Sequence, residues 1–526
     1  LCPQLFVIFY YHGGFIQENA ISKNGFMIGK TKVISEYNLF KARAISLAEA
    51  GQYNKAMRFT ATCARLAYHL NFRYSDNELE TLMLKMGDAL FEEKQEKGSN
   101  TGYLFYDCFA YDNRGLTQQY LHALIQFGQP FVFVLANNGE LHKSKNIIDE
   151  LEKCSYATLV VLNEPDEVSS ALALQKIIET HRPAKAFLHL SPWDVPGITV
   201  WNRQTHIERY FIDLTDHAFW LGTRCADYYL EFRNYGYNIA IDHRGIDKHK
   251  LLWQPYYPIQ SDEPFAGFPV DVTNKTIGFS GANFYKIYGR NNTFLKLIKT
   301  ILEQNPGFIF LFAGSGNARP VHQFIKQHQL ENRIILLGDR KDINAVYRNI
   351  DIYINTYPVI GALMTQFAVC NRKPIVSYTT SDLASNFIED FLPVDRTVAY
   401  SIKDEDEFIA ETGRLINDVP YRENNVKNYE GSVPDAGQFN HTLMQNMGKD
   451  KLVTVNYTAV KIDTEAIFDL YLETENNFLK AYDLMKFGLL KKDYVRDYFG
   501  RALVSAIKIV FFQPEIIIQK VKNKLK

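Results

Sequence analysis

The stretch FSGANFYKIYGRNN, from Phe279 to Asn292, puts a lysine where an apolar strand hands over to a helix. In open α/β sheets, ligands sit beyond the carboxyl ends of the strands. Four such ends in the second half of the chain carry distinctive residues. The first is this stretch, with Gly281, Asn283 and Lys286. The second is FAGSG, whose Gly314 and Gly316 allow close backbone approach. The third is LLGDRKD, with Arg340, and the fourth is NTYPVIGALMTQFAVCNRKPIV. In the fourth, Gly361 precedes a helix whose start carries Thr365 and Gln366. Free N–H groups at a helix start bind phosphate, and Lys286 could neutralise a diphosphate from the opposite strand end. No Cys/His cluster or carboxylate set with metal spacing is present, so no metal is expected. The positive charge would come from Lys286 and the helix dipole. Each piece alone also fits an ordinary strand-to-helix turn; together they favour a nucleotide-diphosphate site. FAGSGNARP lacks the third glycine of a dinucleotide fingerprint, which disfavours a dehydrogenase.

The first half offers candidates for handling a second substrate. YDNRGLTQQYLHAL places Arg114, Gly115 and Thr117 at a strand-to-helix turn facing the same cleft. A group transfer to a hydroxyl needs a general base, and histidine is the default near neutral pH. His189 in FLHLSPW and His217 in DLTDHAFWLG sit at strand ends. Either could equally be a hydrogen-bonded core histidine. Asp216 adjoins His217 and could orient or charge-pair it, although neighbours along a strand point to opposite faces, which weighs against the pairing. Arg244 in IDHRGID could approach the donor from the end of the first lobe, but a surface or linker ion pair is the favoured reading.

These residues need elements to position them. Residues 38–95 show apolar positions three and four apart, the helical period. ISLAEAGQYNKAMRFTATCARL resembles one tetratricopeptide helix-turn-helix, and a plain helical hairpin fits as well. After a polar hinge, KQEKGSNTG, short apolar runs alternate with amphipathic stretches, the βαβ pattern of a parallel sheet covered on both faces. A Pro-rich linker near 255–272 separates this half from a second that repeats the pattern. The expected organisation is a helical region over 1–95, a Rossmann-like acceptor lobe over 96–262, a Rossmann-like nucleotide lobe over 263–455, and C-terminal helices over 456–526.

Bulk numbers exclude some classes. A chain of 526 residues exceeds one compact core. A net charge of −1 gives no basic field, so nucleic acid is not an expected partner. Aromatics at 14% hint weakly at a sugar-binding cleft. Six scattered cysteines read as reduced thiols in a cytoplasmic protein. No apolar run is long enough to span a membrane. The opening LCPQLFVIFYYHGG lacks a basic n-region and a small-residue cleavage site, and reads as a truncated or internally started chain. The final stretch, SAIKIVFFQPEIIIQKVKNKLK, joins bulky apolar residues to five lysines. It fits either peripheral contact with an anionic membrane face or a closing helix packed on the first lobe.

ANFYKIYGRNNTFLKLIKTIL resembles the diphosphate-lysine segment of O-GlcNAc transferases and related GT-B glycosyltransferases. DIYINTYPVIGALMTQFAVCNRKPIV resembles the family's Pro-x-x-Gly-Gly-x-Thr signature, which grips donor phosphates. The resemblance implies a GT-B fold: two Rossmann-like lobes facing a cleft, here preceded by a helical, tetratricopeptide-like region. It implies a nucleotide-sugar donor, with UDP the expected nucleotide, held by the second lobe. The acceptor, a glycan, lipid-linked glycan or protein side chain, lies on the first, and no cofactor or metal is required. The bacterial adhesin-glycosylating branch shares the helical domain ahead of the lobes. Ala362 stands where many relatives have a second glycine, and neither Pro358 nor Gln366 is acidic, unlike the paired glutamates of one retaining branch. That departure keeps a non-catalytic GT-B partner subunit open beside the transferase, as does the shared plan of UDP-sugar epimerases. A homo-oligomer also stays open.

Overall fold

The computed structural model describes residues 27–92, 102–109, 115–136, 141–392, 400–453 and 457–512. The first lobe is built on a parallel sheet of seven strands: β1 Tyr103–Asp107, β2 Phe131–Leu135, β3 Ala157–Val161, β4 Lys185–His189, β5 Glu208–Ile212, β6 Tyr228–Glu231 and β7 Leu251–Trp253. Their order is β3-β2-β1-β4-β5-β6-β7. The second lobe holds six: β8 Thr276–Gly281, β9 Phe308–Ala313, β10 Ile334–Gly338, β11 Ile352–Ile354, β12 Ile375–Tyr378 and β13 Ser401–Ile402, in the order β10-β9-β8-β11-β12-β13. Each sheet starts in the middle, runs to one edge and returns to the other side. The reversal falls between β1 and β4 in one lobe and between β8 and β11 in the other, opening a crevice at the carboxyl ends. Uninterrupted apolar strands such as FVFVL and FIFLFA are buried along their length, as sheets covered on both faces require.

The aromatic content has a structural outlet. In the first lobe Phe133, Phe105, Phe187, Tyr210 and Tyr228 lie in register on five neighbouring strands. Their rings stack at centroid distances of 5.1, 6.4, 5.4 and 5.6 Å. Cross-strand aromatic pairs of this kind each add roughly 0.2–1 kcal/mol. These aromatics hold a sheet together rather than line a sugar cleft.

Two returns of the chain tie the parts together. The helix Ala436–Met447 lies within the expected second lobe, yet it packs on the first: Phe439 meets Tyr120 at 5.1 Å and Tyr257 at 5.5 Å. The following residues extend the edge of the first sheet, with Trp253 N donating to the Leu452 carbonyl at 3.0 Å. The N-terminal helices, Lys30–Glu49, Tyr53–Leu70 and Asn77–Leu90, form a hairpin and a third helix. Their apolar faces are completed by the C-terminal helices in one core, with Phe40, Phe59 and Leu66 beside Tyr482, Leu490 and Tyr494. Polar links cross the same seam. Tyr482 Oη donates to Glu36 at 2.6 Å, Lys486 pairs with Glu36 at 3.0 Å, and Arg58 reaches Asp493 at 2.7 Å. The partner of the hairpin is thus the chain's own C-terminal end, not a second tetratricopeptide unit.

Candidate functional site

The second-lobe half of the site is made by the loops after β8 and β11, neighbours at the sheet's reversal. Past Gly281, the Asn283 side-chain oxygen accepts from Tyr285 N at 3.3 Å and starts one tight turn, Phe284–Ile287. That turn carries Lys286. Its Nζ donates to the Ile360 carbonyl at 2.7 Å, and Val359 N donates to the Lys286 carbonyl at 3.1 Å. The lysine is therefore held against the loop that leads into the helix Ala362–Cys370. Asn355 fixes that loop. Its side-chain oxygen accepts from Thr356 N at 2.9 Å and Gly361 N at 3.0 Å, and its amide donates to Thr365 Oγ1 at 3.1 Å. Thr365 Oγ1 also donates to the Gly361 carbonyl at 2.9 Å. The first-turn amides of residues 362–364 have no acceptor within their own helix, and Lys286 stands beside them.

The first-lobe half is the turn after β5. Asp213 and Asp216 are buried in it, and each faces an arginine from a later element. Arg244 donates to Asp213 at 3.3 Å and to the Asp216 and Ala218 carbonyls at 3.0 and 2.6 Å, with its guanidinium 4.2 Å from the Trp220 ring. Arg233, just past β6, forms a bidentate pair with Asp216, one arm at 2.8 Å. Its third arm crosses to the second lobe and donates to the Ser385 carbonyl at 2.8 Å. The adjoining Asn386 continues the connection: its amide donates to the Pro358 carbonyl at 2.7 Å and its oxygen accepts from Ile360 N at 3.2 Å. A run of polar contacts thus joins Asp216 to the carbonyl that Lys286 holds.

His217 sits at this junction. Its Nδ1 lies 3.5 Å from Asp216 Oδ1, and its backbone carbonyl accepts from Asn71 of the helical region at 2.8 Å. Asp216 and His217 do come together, because residues 215–218 form a turn, not a strand, and the alternation that weighed against their pairing does not apply. Burial lowers the affinity of His217 for a proton, Asp216 opposes this, and the charges of Arg233 and Lys286 add to the lowering. The ring ends below the usual imidazole value, and the charge of Lys286 reaches it from the other lobe. For Asp216, burial works upward but Arg233 and then His217 outweigh it, so its carboxyl ends well below the usual range. Burial pushes Asp213 up to about 6 against the pull of Arg244. Glu231, at the end of β6, is held far above its ordinary value by burial and by the charges of Asp213 and Asp216, and neither of its carboxyl oxygens has a hydrogen-bond partner among the described residues.

The other expected site residues fall in several places. His189 is an internal group: its Nδ1 lies 3.0 Å from Asp107 and 3.2 Å from Thr117 Oγ1, and its side chain is 5% exposed against 35% for His217. Thr117 donates to Asp107 at 2.7 Å in the same buried triangle. Gly115 takes a left-handed φ of +66° at a helix start, with the space for a Cβ filled by Ile259. Arg114 lies outside the described residues. Gly314 and Gly316 admit protein, not open space: a Cβ at Gly314 would stand 1.8 Å from the Ala282 carbonyl, and one at Gly316 would stand 2.6 Å from Asn283 Oδ1. They let the Lys286 loop lie flat on the loop after β9. Arg340 is engaged in a bidentate pair with Asp342 at 2.7 and 2.6 Å and donates to the Gly267 carbonyl at 2.8 Å, pinning the linker. Gln366 donates to the Tyr256 carbonyl at 2.9 Å and lines a cavity of about 530 Å³ between the lobes, with Trp253, Phe391 and His441. Arg244, expected in a surface or linker pair, is fully buried beneath the His217 turn. Sequence reasoning missed Arg233, Asn355 and Asn386. Arg233 was findable, because EFRNYG places a cation just past a strand end, as NFYKIY does for Lys286.

Two parallel sheets that each reverse at the middle, with a lysine set over a helix start in the crevice, make the two-lobed architecture of the GT-B fold. Within that class, residues 274–418 match the family described as Glycosyl transferases group 1, so the second lobe carries the glycosyltransferase domain. The protein CapJ of Staphylococcus aureus is 28% identical over 173 residues, 32% of this chain, and the matched segment spans 42% of CapJ. An O-GlcNAc transferase mutant of Thermobaculum terrenum superposes with a TM-score of 0.50 at 13% identity, over 84% of this chain and 82% of that one. Anabaena HepE, solved with UDP and glucose, gives a TM-score of 0.49 at 14% identity over 66% of this chain and 99% of that one.

Proposed function

We propose that the protein transfers a sugar from a nucleotide-diphosphate donor, with UDP the expected nucleotide, to a glycan, lipid-linked glycan or protein side chain. The observation that carries this reading is Lys286 clamped against the start of the Ala362–Cys370 helix, opposite His217. A diphosphate between them meets a cation and preset N–H donors. When the bond from the anomeric carbon to the diphosphate breaks, Lys286 and those amides stabilise the charge left on the leaving group, and no metal is needed in this scheme. His217, the less buried of the two histidines, takes the proton from the acceptor hydroxyl as that oxygen bonds to the anomeric carbon. Its lowered proton affinity keeps it neutral, and therefore able to accept a proton, near pH 7. Asp216 then faces the imidazolium. His189, inside its Asp107–Thr117 triangle, shapes the first-lobe crevice. Gly281, Asn283, Gly314 and Gly316 position the lysine loop, Arg340 steadies the linker, and Gly361, Thr365 and Gln366 hold the helix start and its seam. Gly115 and Thr117 lie at the first-lobe turn assigned to the acceptor, and Arg114 precedes them in sequence. Work at the cytoplasmic side of a membrane fits this reading.

Turnover of a panel of UDP-, GDP- and CMP-sugars by the purified chain tests the proposal, with hydrolysis counted as transfer to water. One donor should be consumed, with the loss of turnover in Lys286→Ala and in His217→Asn. The acid limb of the rate profile should fall below pH 6.5, because burial and the two cations lower the histidine. Consumption of no donor, or full activity in both variants, rules the assignment out and leaves a non-catalytic partner subunit.

A further inference from the structure

The terminal described helix, Phe499–Phe512, is buried on one side and bare on the other. Ala502, Ser505 and Lys508 face inward, and Ser505 Oγ reaches Asp483 at 2.5 Å. On the outer side Phe499, Leu503, Ile507 and Val510 are 66, 44, 42 and 53% exposed, with Val504 at their edge. The spacing of four, four and three residues puts them on one helical stripe. No other described helix leaves so many large apolar side chains open. Isolated exposed apolar residues are ordinary, but a continuous stripe marks a contact surface.

Charge indicates what the stripe meets. Residues 491–526 contain nine Lys and Arg against three Asp and Glu, in a chain whose net charge is −1. Lys491 and Lys492 are exposed just ahead of the helix, and Lys520, Lys522, Lys524 and Lys526 follow it in sequence. An apolar stripe flanked by basic residues is the composition of a helix that lies in the plane of an anionic bilayer, its apolar side in the acyl boundary and its cations among the headgroups. We infer that the Phe499–Val510 stripe docks this protein on an anionic lipid surface and holds the cleft near that surface. The inference rests on the transferase reading only for its purpose, that of bringing a membrane-bound acceptor to the crevice.

Co-sedimentation of the full chain with vesicles of phosphatidylcholine, with and without 30% phosphatidylglycerol, is the test. Binding should require the anionic lipid and weaken with added salt. Leu503→Glu with Ile507→Glu should reduce the bound fraction by roughly tenfold or more, since it sets two charges on the inserted side. These positions are exposed, so the fold should survive, and an unchanged melting curve would show it. A second variant, with Lys520, Lys522, Lys524 and Lys526 all changed to Gln, should also reduce binding and touches no described residue. Lys286→Ala should sediment normally while losing donor turnover, so that failure of docking and failure of the donor site read out separately. Absence of vesicle binding, or binding unaltered in both stripe and lysine variants, overturns the inference. So does a dimer in sedimentation equilibrium that the stripe variant dissolves without any lipid binding, because it assigns the face to a second copy.

Discussion

Removal of the Arg233 guanidinium should be among the most damaging single changes in the molecule. Its side chain is 4% exposed, and it faces Asp216, which is buried more completely still. Arg233→Met keeps an unbranched apolar stem of similar reach and deletes the guanidinium, with its donors and its stacking over the Phe391 and Tyr235 rings at 4.4 and 4.8 Å. The two arms to Asp216 and the arm to the Ser385 carbonyl are lost together. Asp216 keeps His217 at 3.5 Å, while Arg244 reaches only its backbone carbonyl. Breaking a buried ion pair from one side costs about 3–5 kcal/mol, because the other charge stays buried without its partner. Removing both charges costs far less, so Asp216→Asn with Arg233→Met should recover most of the loss. The pH dependence carries a second signature. In the wild type, Asp216 is lowered, so its contribution is complete above the ordinary carboxylate value and is lost as pH falls through its folded value. In Arg233→Met, burial dominates and raises the same carboxyl, so stability should fall as pH rises past about 4. Urea unfolding at pH 4 and pH 7, followed by tryptophan fluorescence, reads the first lobe, which holds all four tryptophans, among them Trp220, which donates to Asp213 at 3.2 Å. A single variant within about 1 kcal/mol of wild type, or a double variant no better than the single, would refute the reasoning.

Two further outcomes follow from the same geometry. Glu231→Gln removes a carboxyl that is kept neutral in the fold but ionises once unfolded. The wild type binds one more proton folded than unfolded above about pH 4.5, so its stability drops as pH rises there, by up to about 1.4 kcal/mol per pH unit. The variant should therefore be the more stable at pH 7 and equal to wild type at pH 4, as thermal melts would report; a deficit at pH 7 would mean the acid is ionised in the fold. Gly314→Ala drives a Cβ to 1.8 Å from the backbone carbonyl of Ala282, so the loop carrying Lys286 must move. A stability loss of about 1–3 kcal/mol should come with weakened nucleotide binding although no ligand contact is altered; nucleotide binding at full strength would show that the loop position is unimportant.

Most of both sheets was legible because their central strands are short, continuous apolar runs bounded by polar turns, whereas the two-residue edge strand Ser401–Ile402 carries no such signal; the rule that ligands gather at carboxyl strand ends pointed to Lys286, Gly361 and His217. What escaped notice shares a physical cause. Arg233 and Asp216 are 17 residues apart at the ends of two neighbouring strands, and Arg233 and Ser385 are 152 apart in different lobes, so these contacts depend on strand order and on how the lobes meet, which no local pattern encodes. Gly314 and Gly316 were read as places where backbone approaches a ligand; the atoms that crowd them are those of Ala282 and Asn283, a difference that residue type alone does not encode. The aromatic excess was equally ambiguous until strand register placed five rings side by side. The helical hairpin looked like a repeat unit because its small residues suit a tight crossing; its partner helices lie more than 400 residues away.

The diphosphate clamp is the centre of the account, and calorimetric titration of UDP into wild type, Lys286→Ala and His217→Asn probes it without any need for the acceptor. The wild type should bind. His217→Asn should bind comparably, because that residue serves the acceptor side. Lys286→Ala should bind roughly 10- to 150-fold more weakly, the loss of one charge-assisted hydrogen bond of about 1.5–3 kcal/mol. Wild-type protein that takes up no UDP, GDP or CMP, or a Lys286→Ala variant that binds as tightly as wild type, would contradict the account.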